Sequence, residues 1–493
     1  MLAVVGVTAT AVLALGGHAT GSGHPPGTRW FWADSPLDDR SLGRTPAIIV
    51  ARVALAALAG AWLRAGMLVS RHRLPARGVL LLAVLWSLPL LAAAPLFSDD
   101  AHAYVAFGDL VRRGFDPYTS TPSELGALPD ALGVNGFWQQ VPTPYGGLFL
   151  DLMGLIVRLT GEHEHLALLV LRLVEVLALG VLSALLVRLA AVSGHRPESV
   201  LWLAVLNPLV LLSTVSGLHN DVLMLVPLMG GVLLAVRGRQ VWAIAACAVA
   251  ADIKVIALVA LSVIVAAHAW RADPWLAKVR RLSGGAALGV VLFGAATLAT
   301  WQGFGWVRDL DVPGRAFNYI TPVDDVLAMV GQRSAGWLRD VAMASTVVVA
   351  LASCVVCRRT GLLRGAGLAL AGAVLLGVVV WPWYWMWPLL PLAVAGTYRE
   401  RRAMVVGSVL LLFVSLPSGV PDFGTGHSWL LGAPAAEVVT FALCGLLTVV
   451  LVRGAVRPAI SRSALVGRLR GLRPEVPTEL PAVDHHREGH LLR

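Results

Sequence analysis

Apolar runs follow one another along almost the whole chain, and the short turns between them alternate between arginine-rich and acidic or aromatic. The runs fall near 2–17, 47–69, 79–97, 166–192, 200–214, 222–236, 241–270, 285–300, 341–356, 362–380, 403–414 and 438–452. A helix that crosses a bilayer needs about 20 apolar residues, fewer where it is broken or buried in protein. Composition agrees: 57% of residues are hydrophobic, only 14% are charged, and mean hydropathy is +0.74. Soluble domains carry roughly 25% charged residues. The pattern predicts an all-α fold, a polytopic transmembrane helical bundle of about 12–14 spans, occupying residues 1–452 of the chain.

The formal net charge of +10 is almost entirely arginine, Lys254 and Lys278 being the only lysines. In such a chain basic residues report sidedness before anything else, because loops rich in them stay cytoplasmic; nucleic acid is not an expected partner. Arg71, Arg73 and Arg77, then Arg196, Arg237 and Arg239, then Arg271, Arg280 and Arg281, then Arg358 and Arg359, then Arg399, Arg401 and Arg402 mark turns expected inside. The basic tail 453–493 is expected to be cytoplasmic and partly disordered. Two segments then fall outside, 98–145 and 301–340. The run 241–270 is basic at both flanks, which predicts a helical hairpin turning near Asp252-Ile253-Lys254. The run 146–160 is short and interrupted by Asp151, and is expected to be a partial or re-entrant helix. Residues 2–15 have no positive residue before them and are expected to form a first span rather than a signal peptide.

The candidate site begins at Asp99-Asp100, directly after the run 79–97. Acids at the mouth of a span are costly unless they face water or a substrate. A long polar segment follows, with Tyr104, Tyr118, Trp138 and Tyr145. Aromatic faces pack on sugar rings, although an interfacial aromatic belt has the same composition. His219-Asn220-Asp221 falls on the same expected side and serves either a polar cavity or a helix cap. Lys254 is an intramembrane cation suited to a phosphate or to an acid on another helix. Arg315 and Tyr384, the latter within Trp381–Trp387, complete the candidate substrate-binding set. Arg172 and Glu175, three apart on one run, have the spacing of an intrahelical ion pair. Cys354-Val-Val-Cys357 has zinc or redox spacing but no second pair or histidine beside it, and no metal or other cofactor is expected.

Taken in order, Ser98-Asp99-Asp100 with Tyr104, Gly114-Phe115-Asp116-Pro117-Tyr118, Pro142-Thr143-Pro144-Tyr145-Gly146, Asn207-Pro208, His219-Asn220-Asp221 and Lys254 resemble the actinobacterial polyprenol-phosphomannose-dependent alpha-1,6-mannosyltransferases. The resemblance implies the GT-C membrane glycosyltransferase fold, a lipid-phosphate sugar donor, a mannan or lipoglycan acceptor, a multi-pass protein of the cell membrane with an extracytoplasmic active site, and an acid in the first large loop as catalytic base. Asp100, four residues before Tyr104, matches that acid better than Asp99. The chain departs from the pattern at His102, where the family has an aromatic residue, and at Gly147, where it has proline.

The chemistry is coherent by itself. A polyprenyl phosphate leaves readily, so one carboxylate that deprotonates the acceptor hydroxyl suffices for inverting transfer, unlike the carboxylate pairs of glycosidases. Cations such as Lys254 or Arg315 can stabilise the departing phosphate. Transfer of another lipid-linked sugar, such as arabinofuranose, fits the same residues. A transporter or flippase would also use intramembrane Asp252 and Lys254 and a broken helix, but the chain has no internal repeat.

Overall fold

The computed structural model describes residues 1–16, 37, 42–161, 163–315, 336–377 and 379–414. Tyr319, Asp324, Asp325, Cys444, the last apolar run and the tail lie outside the described residues. Those described are helical throughout, with no strand among them. In chain order the main helices are α1 (Leu2–Leu15), α2 (Arg44–Ser70), α3 (Ala76–Leu91), α4 (Asp100–Arg113), α5 (Gly147–Thr160), α6 (Glu164–Val192), α7 (Pro197–Ala204), α8 (Asp221–Val236), α9 (Gln240–Ala251), α10 (Ala257–Ala269), α11 (Trp275–Ala299), α12 (Gly336–Thr360), α13 (Leu362–Leu376), α14 (Met386–Ala395) and α15 (Tyr398–Val414).

Among the described residues, α2, α6, α11 and α12 are each long and apolar enough to cross a membrane. A fifth candidate is α7 with its continuation Pro208–Ser216, bent by 57°. Helices α1, α3, α8, α9, α10 and α13 are apolar but shorter. This is a polytopic helical membrane protein. The bend after α7 has a local cause: Asn207 caps the next turn through its side chain, Pro208 supplies no N–H, and Leu212–Ser216 widens into a π-helical turn.

The arginine-bearing turns gather at one end of the bundle. Arg196 donates to the Val69 carbonyl (3.0 Å) and meets His72, at the turn between α2 and α3. Arg401 donates to Ser199 (3.0 Å), and Arg364 pairs with Glu400 (2.8 Å). Trp270 donates to the Cys354 carbonyl and lies under Arg358. The hairpin expected at 241–270 is present: α9 and α10 pack on each other, and the chain turns through 252–256.

The opposite end carries a layer that the sequence presents as a loop. Helix α3 stops at Leu91, earlier than the apolar run, with Pro89 in its last turn. Asp99 is the N-cap of α4, so Asp100 opens a 14-residue helix instead of a solvated loop, and Gly114 in the left-handed conformation closes it. Helices α4 and α5 cross in close contact because Gly108 has no side chain; a Cβ there would lie 2.7 Å from the Met153 carbonyl oxygen. Helix α5 is the expected partial helix, and the hairpin tip fixes its start. Asp252 accepts from the Leu148 backbone N–H (3.1 Å) and from Thr297 (2.8 Å), and the Gly146 N–H donates to the Ile253 carbonyl. A Cβ on Gly146 would overlap the carbonyl oxygen of Asp252, which gives the Tyr145-Gly146 pair a steric reason.

Candidate active site

Asp100 and His219 meet at the end of the bundle opposite the arginine-bearing turns. The Asp100 backbone N–H donates to Ser98 Oγ (3.1 Å). Its carboxylate accepts from Trp138 Nε1 through Oδ1 (3.0 Å), and its Oδ2 lies 3.4 Å from His219 Nδ1. The His219 ring stacks on Trp383, with centroids 3.7 Å apart. An indole donor on one oxygen and an imidazole near the other hold the carboxylate in one orientation. Asp99 turns elsewhere and lies 3.5 Å from Asn135 Nδ2.

The second carboxylate, Asp221, is fully buried in the first turn of α8. It accepts from Lys254 Nζ (2.8 Å) and from Trp387 Nε1 (2.5 Å), both on Oδ1. Lys254 is also 3.4 Å from Asn220 Oδ1 and sits over Tyr384, 4.7 Å from its ring centroid. Tyr384 in turn stacks on Trp387. Lys254 therefore neutralises an acid of another helix, while Asp252, two residues earlier, has the structural role described above.

Two buried polar atoms beside these groups, Asn220 Nδ2 and Asp221 Oδ2, have no hydrogen-bond partner. Folded proteins satisfy nearly all such atoms, so a cluster of exceptions needs a cause. Both belong to consecutive residues beside Lys254, where they offer a donor and an acceptor to a polar ligand. Two of the three non-glycine residues with positive φ among the described residues, Phe97 (68°) and Leu218 (56°), stand directly before Ser98 and His219. That backbone region is unfavourable for side-chain-bearing residues and clusters at functional sites.

Other candidates have different places. Tyr104 and Tyr145 are buried and pack edge to face with each other and with Phe149, forming the site's apolar floor and not an open rim. Tyr118 is buried and donates to the Tyr145 carbonyl (3.1 Å); burial, then the charges of Asp252 and Asp151, push its pKa upward. Arg315 pairs with Asp311 four residues earlier and has no contact with the Asp100 group among the described residues. Arg172 does not follow its i, i+3 spacing: it donates to the carbonyls of Val215 and Leu91 (2.9 Å each), where the bent helix and the end of α3 leave acceptors free. Sequence reasoning did not find the buried contact of His102 Nδ1 with Glu164 Oε1 (2.5 Å), which ties α4 to the start of α6. His102 lies two residues past Asp100, but Glu164 is remote in sequence and gives no signal. Cys357 donates to the Cys354 carbonyl one turn back in α12, and no group of three His, Cys, Asp or Glu side chains suited to a metal occurs among the described residues.

A helical membrane protein with a buried carboxylate, imidazole and ammonium gathered at one end has the parts of a membrane-embedded group-transfer enzyme. Residues 3–270 match the family model described as "Alpha-(1->6)-mannopyranosyltransferase, N-terminal domain", and residues 324–450 match one described as "MptB C-terminal domain". The chain belongs to the alpha-(1->6)-mannopyranosyltransferase family and is a mannosyltransferase. It is 28% identical to a Mycolicibacterium smegmatis protein named "Probable alpha-(1->6)-mannopyranosyltransferase", across 90% of this chain and 87% of that one. It is also 28% identical to alpha-(1->6)-mannopyranosyltransferase A of Mycobacterium tuberculosis, across 70% of each chain, and to its namesake in Corynebacterium glutamicum, across 60% of this chain and 66% of that one. No solved structure matches.

Proposed function

We propose that this mannosyltransferase takes its sugar from polyprenyl-phosphate mannose and adds it, with inversion, to a growing α-1,6-linked mannan or lipoglycan on the extracytoplasmic face, with Asp100 as the general base. The observation that carries the reading is the Asp100 carboxylate, oriented by Trp138 and His219 beside polar atoms that lack partners. In the reaction, Asp100 takes the proton of the acceptor 6-hydroxyl as that oxygen attacks the anomeric carbon. The bond from that carbon to the phosphate oxygen breaks, and polyprenyl phosphate leaves as the anion. A leaving group of this kind needs little protonation, so a single carboxylate is enough. Lys254 has three N–H donors; Asp221 and Asn220 engage two of them, and the third is assigned to the departing phosphate. Sidedness is supported by the arginine-bearing turns, which meet at the end opposite Asp100.

The reading is tested with purified protein in liposomes, given labelled polyprenyl-phosphate mannose or labelled GDP-mannose with an α-1,6-oligomannoside. Transfer from the lipid donor alone is the expected result. Transfer from the nucleotide sugar alone overturns the donor assignment.

A further inference from the structure

Helix α4 presents Asp100 at one end and a separate cavity at the other. The cavity has a volume of about 770 Å³, within the range of ligand sites, roughly 300–1,000 Å³. It is walled by the end of α4 and the turn after it, by the outward face of α5, and by the residues that follow α11. Its chemistry is mixed: Asp116, Asp151, Arg158 and Gln302 supply charged and amide groups, and Phe115 and Trp301 supply aromatic faces. Trp301 is 95% exposed; it directly follows the candidate span α11, where interfacial indoles are common, and it presents its face to the cavity mouth. Gln302 donates to Asp151 (3.2 Å), which fixes an amide and a carboxylate side by side.

Carboxylates and amides that pair with vicinal hydroxyls, next to an open aromatic face that stacks on C–H surfaces, are the groups that recognise a hexose. Two carboxylates against one arginine make the cavity a poor host for a phosphate or an anionic headgroup. Position points the same way. The 14 residues of α4 at 1.5 Å rise each place the cavity about 20 Å from Asp100, several sugar units along an extended chain. Trp301 follows the end of α11 remote from Arg280 and Arg281, so it opens on the same side as Asp100.

We infer that the cavity lined by Asp151, Trp301 and Gln302 is a distal subsite that grips an α-linked mannan acceptor several residues behind the hydroxyl that reacts. The inference rests on the proposed function for the identity of the glycan. It implies that the enzyme distinguishes long acceptors from short ones by binding, not by chemistry.

The test compares Trp301→Ala and Asp151→Asn with the unaltered protein on two α-1,6-linked acceptors, a disaccharide and an octasaccharide. Loss of a stacking contact is worth about 0.5–1.5 kcal/mol, roughly a two- to tenfold effect. KM for the octasaccharide is expected to rise by that factor, with kcat and the disaccharide constants unchanged. Equal loss on both acceptors, or no change on either, overturns the subsite. Calorimetric titration of the octasaccharide into Asp100→Asn protein, with and without Trp301→Ala, reads binding without turnover. Weakened binding in the double variant supports the subsite even if the unaltered protein fails to use the lipid donor, and that failure counts only against the donor assignment. Undiminished binding in the double variant overturns the subsite alone.

Discussion

Lys254 Nζ lies 2.8 Å from Asp221 Oδ1; Asp221 is fully buried and Lys254 partly so, between α8, the hairpin tip and α14. The pair is a local neutralisation that lets an acid stay inside the bundle. Removing one partner leaves the other uncompensated, which typically costs about 3–5 kcal/mol. Lys254→Met is therefore expected to lower folded yield and melting temperature in detergent, and Lys254→Met with Asp221→Asn to recover part of the loss. A single variant as stable as the parent would show that Asp221 is otherwise neutralised.

Asp100→Asn keeps size and the Trp138 contact but cannot accept a proton. General-base loss costs about 100- to 10,000-fold in rate. Mannosyl transfer is expected to fall by that factor with membrane insertion and donor binding intact, whereas Asp99→Asn, whose carboxylate turns toward Asn135, retains more activity. Near-normal turnover of Asp100→Asn in the same assay removes Asp100 as the base.

The contact between His102 and Glu164 holds the start of α4, and with it Asp100, against α6. Glu164→Ala strands a buried imidazole nitrogen, at a cost of about 1–3 kcal/mol. The melting temperature is expected to drop, and Glu164→Gln, which can still accept from the ring, is expected to restore most of it. Equal melting of all three proteins would show that the contact contributes nothing to stability.

Asp309, in the segment after α11, has its pKa pushed up to about 6, first by burial and then by Asp311, against the pull of Arg315 and Arg308. Its folded pKa exceeds its unfolded value near 3.8, so the folded segment binds the proton more tightly. Its contribution to stability is complete below about pH 3.8 and is lost as pH rises through about 6. Hydrogen-exchange protection of residues 305–315, corrected for intrinsic rates, is expected to be higher at pH 5 than at pH 7.5. Asp309→Asn should remove that difference. Protection that rises with pH would contradict the assignment.

Much of the frame was legible because arginine position and apolar length are local properties. The turns at Arg71–Arg77, Arg196 and Arg399–Arg402 do meet at one end, and the hairpin at Asp252–Lys254 does turn there. Helix α4 was not legible: Asp100, His102, Asp109, Arg112 and Arg113 make it hydrophilic enough to read as a loop, and only tertiary packing buries every residue from Asp100 to Leu110. Partners were harder still. Trp138, His219, Trp387 and Glu164 reach their acids or rings through the fold, and no spacing rule predicts them. Arg172 misled because the i, i+3 rule assumes an intact neighbourhood, and the π turn nearby offers bare carbonyls instead.

Asp252 never approaches Asp100 in sequence, yet it caps α5, α5 carries α4 across Gly108, and α4 carries Asp100. The end of the bundle that carries Asp100 is thus moored to a carboxylate sunk at the tip of a hairpin. A mutational screen scored on turnover alone would rank Asp252 beside the proposed base and mistake an anchor for a reagent. It follows, too, that whatever tilts the hairpin, such as a change in bilayer thickness, tilts Asp100 and its partners with it.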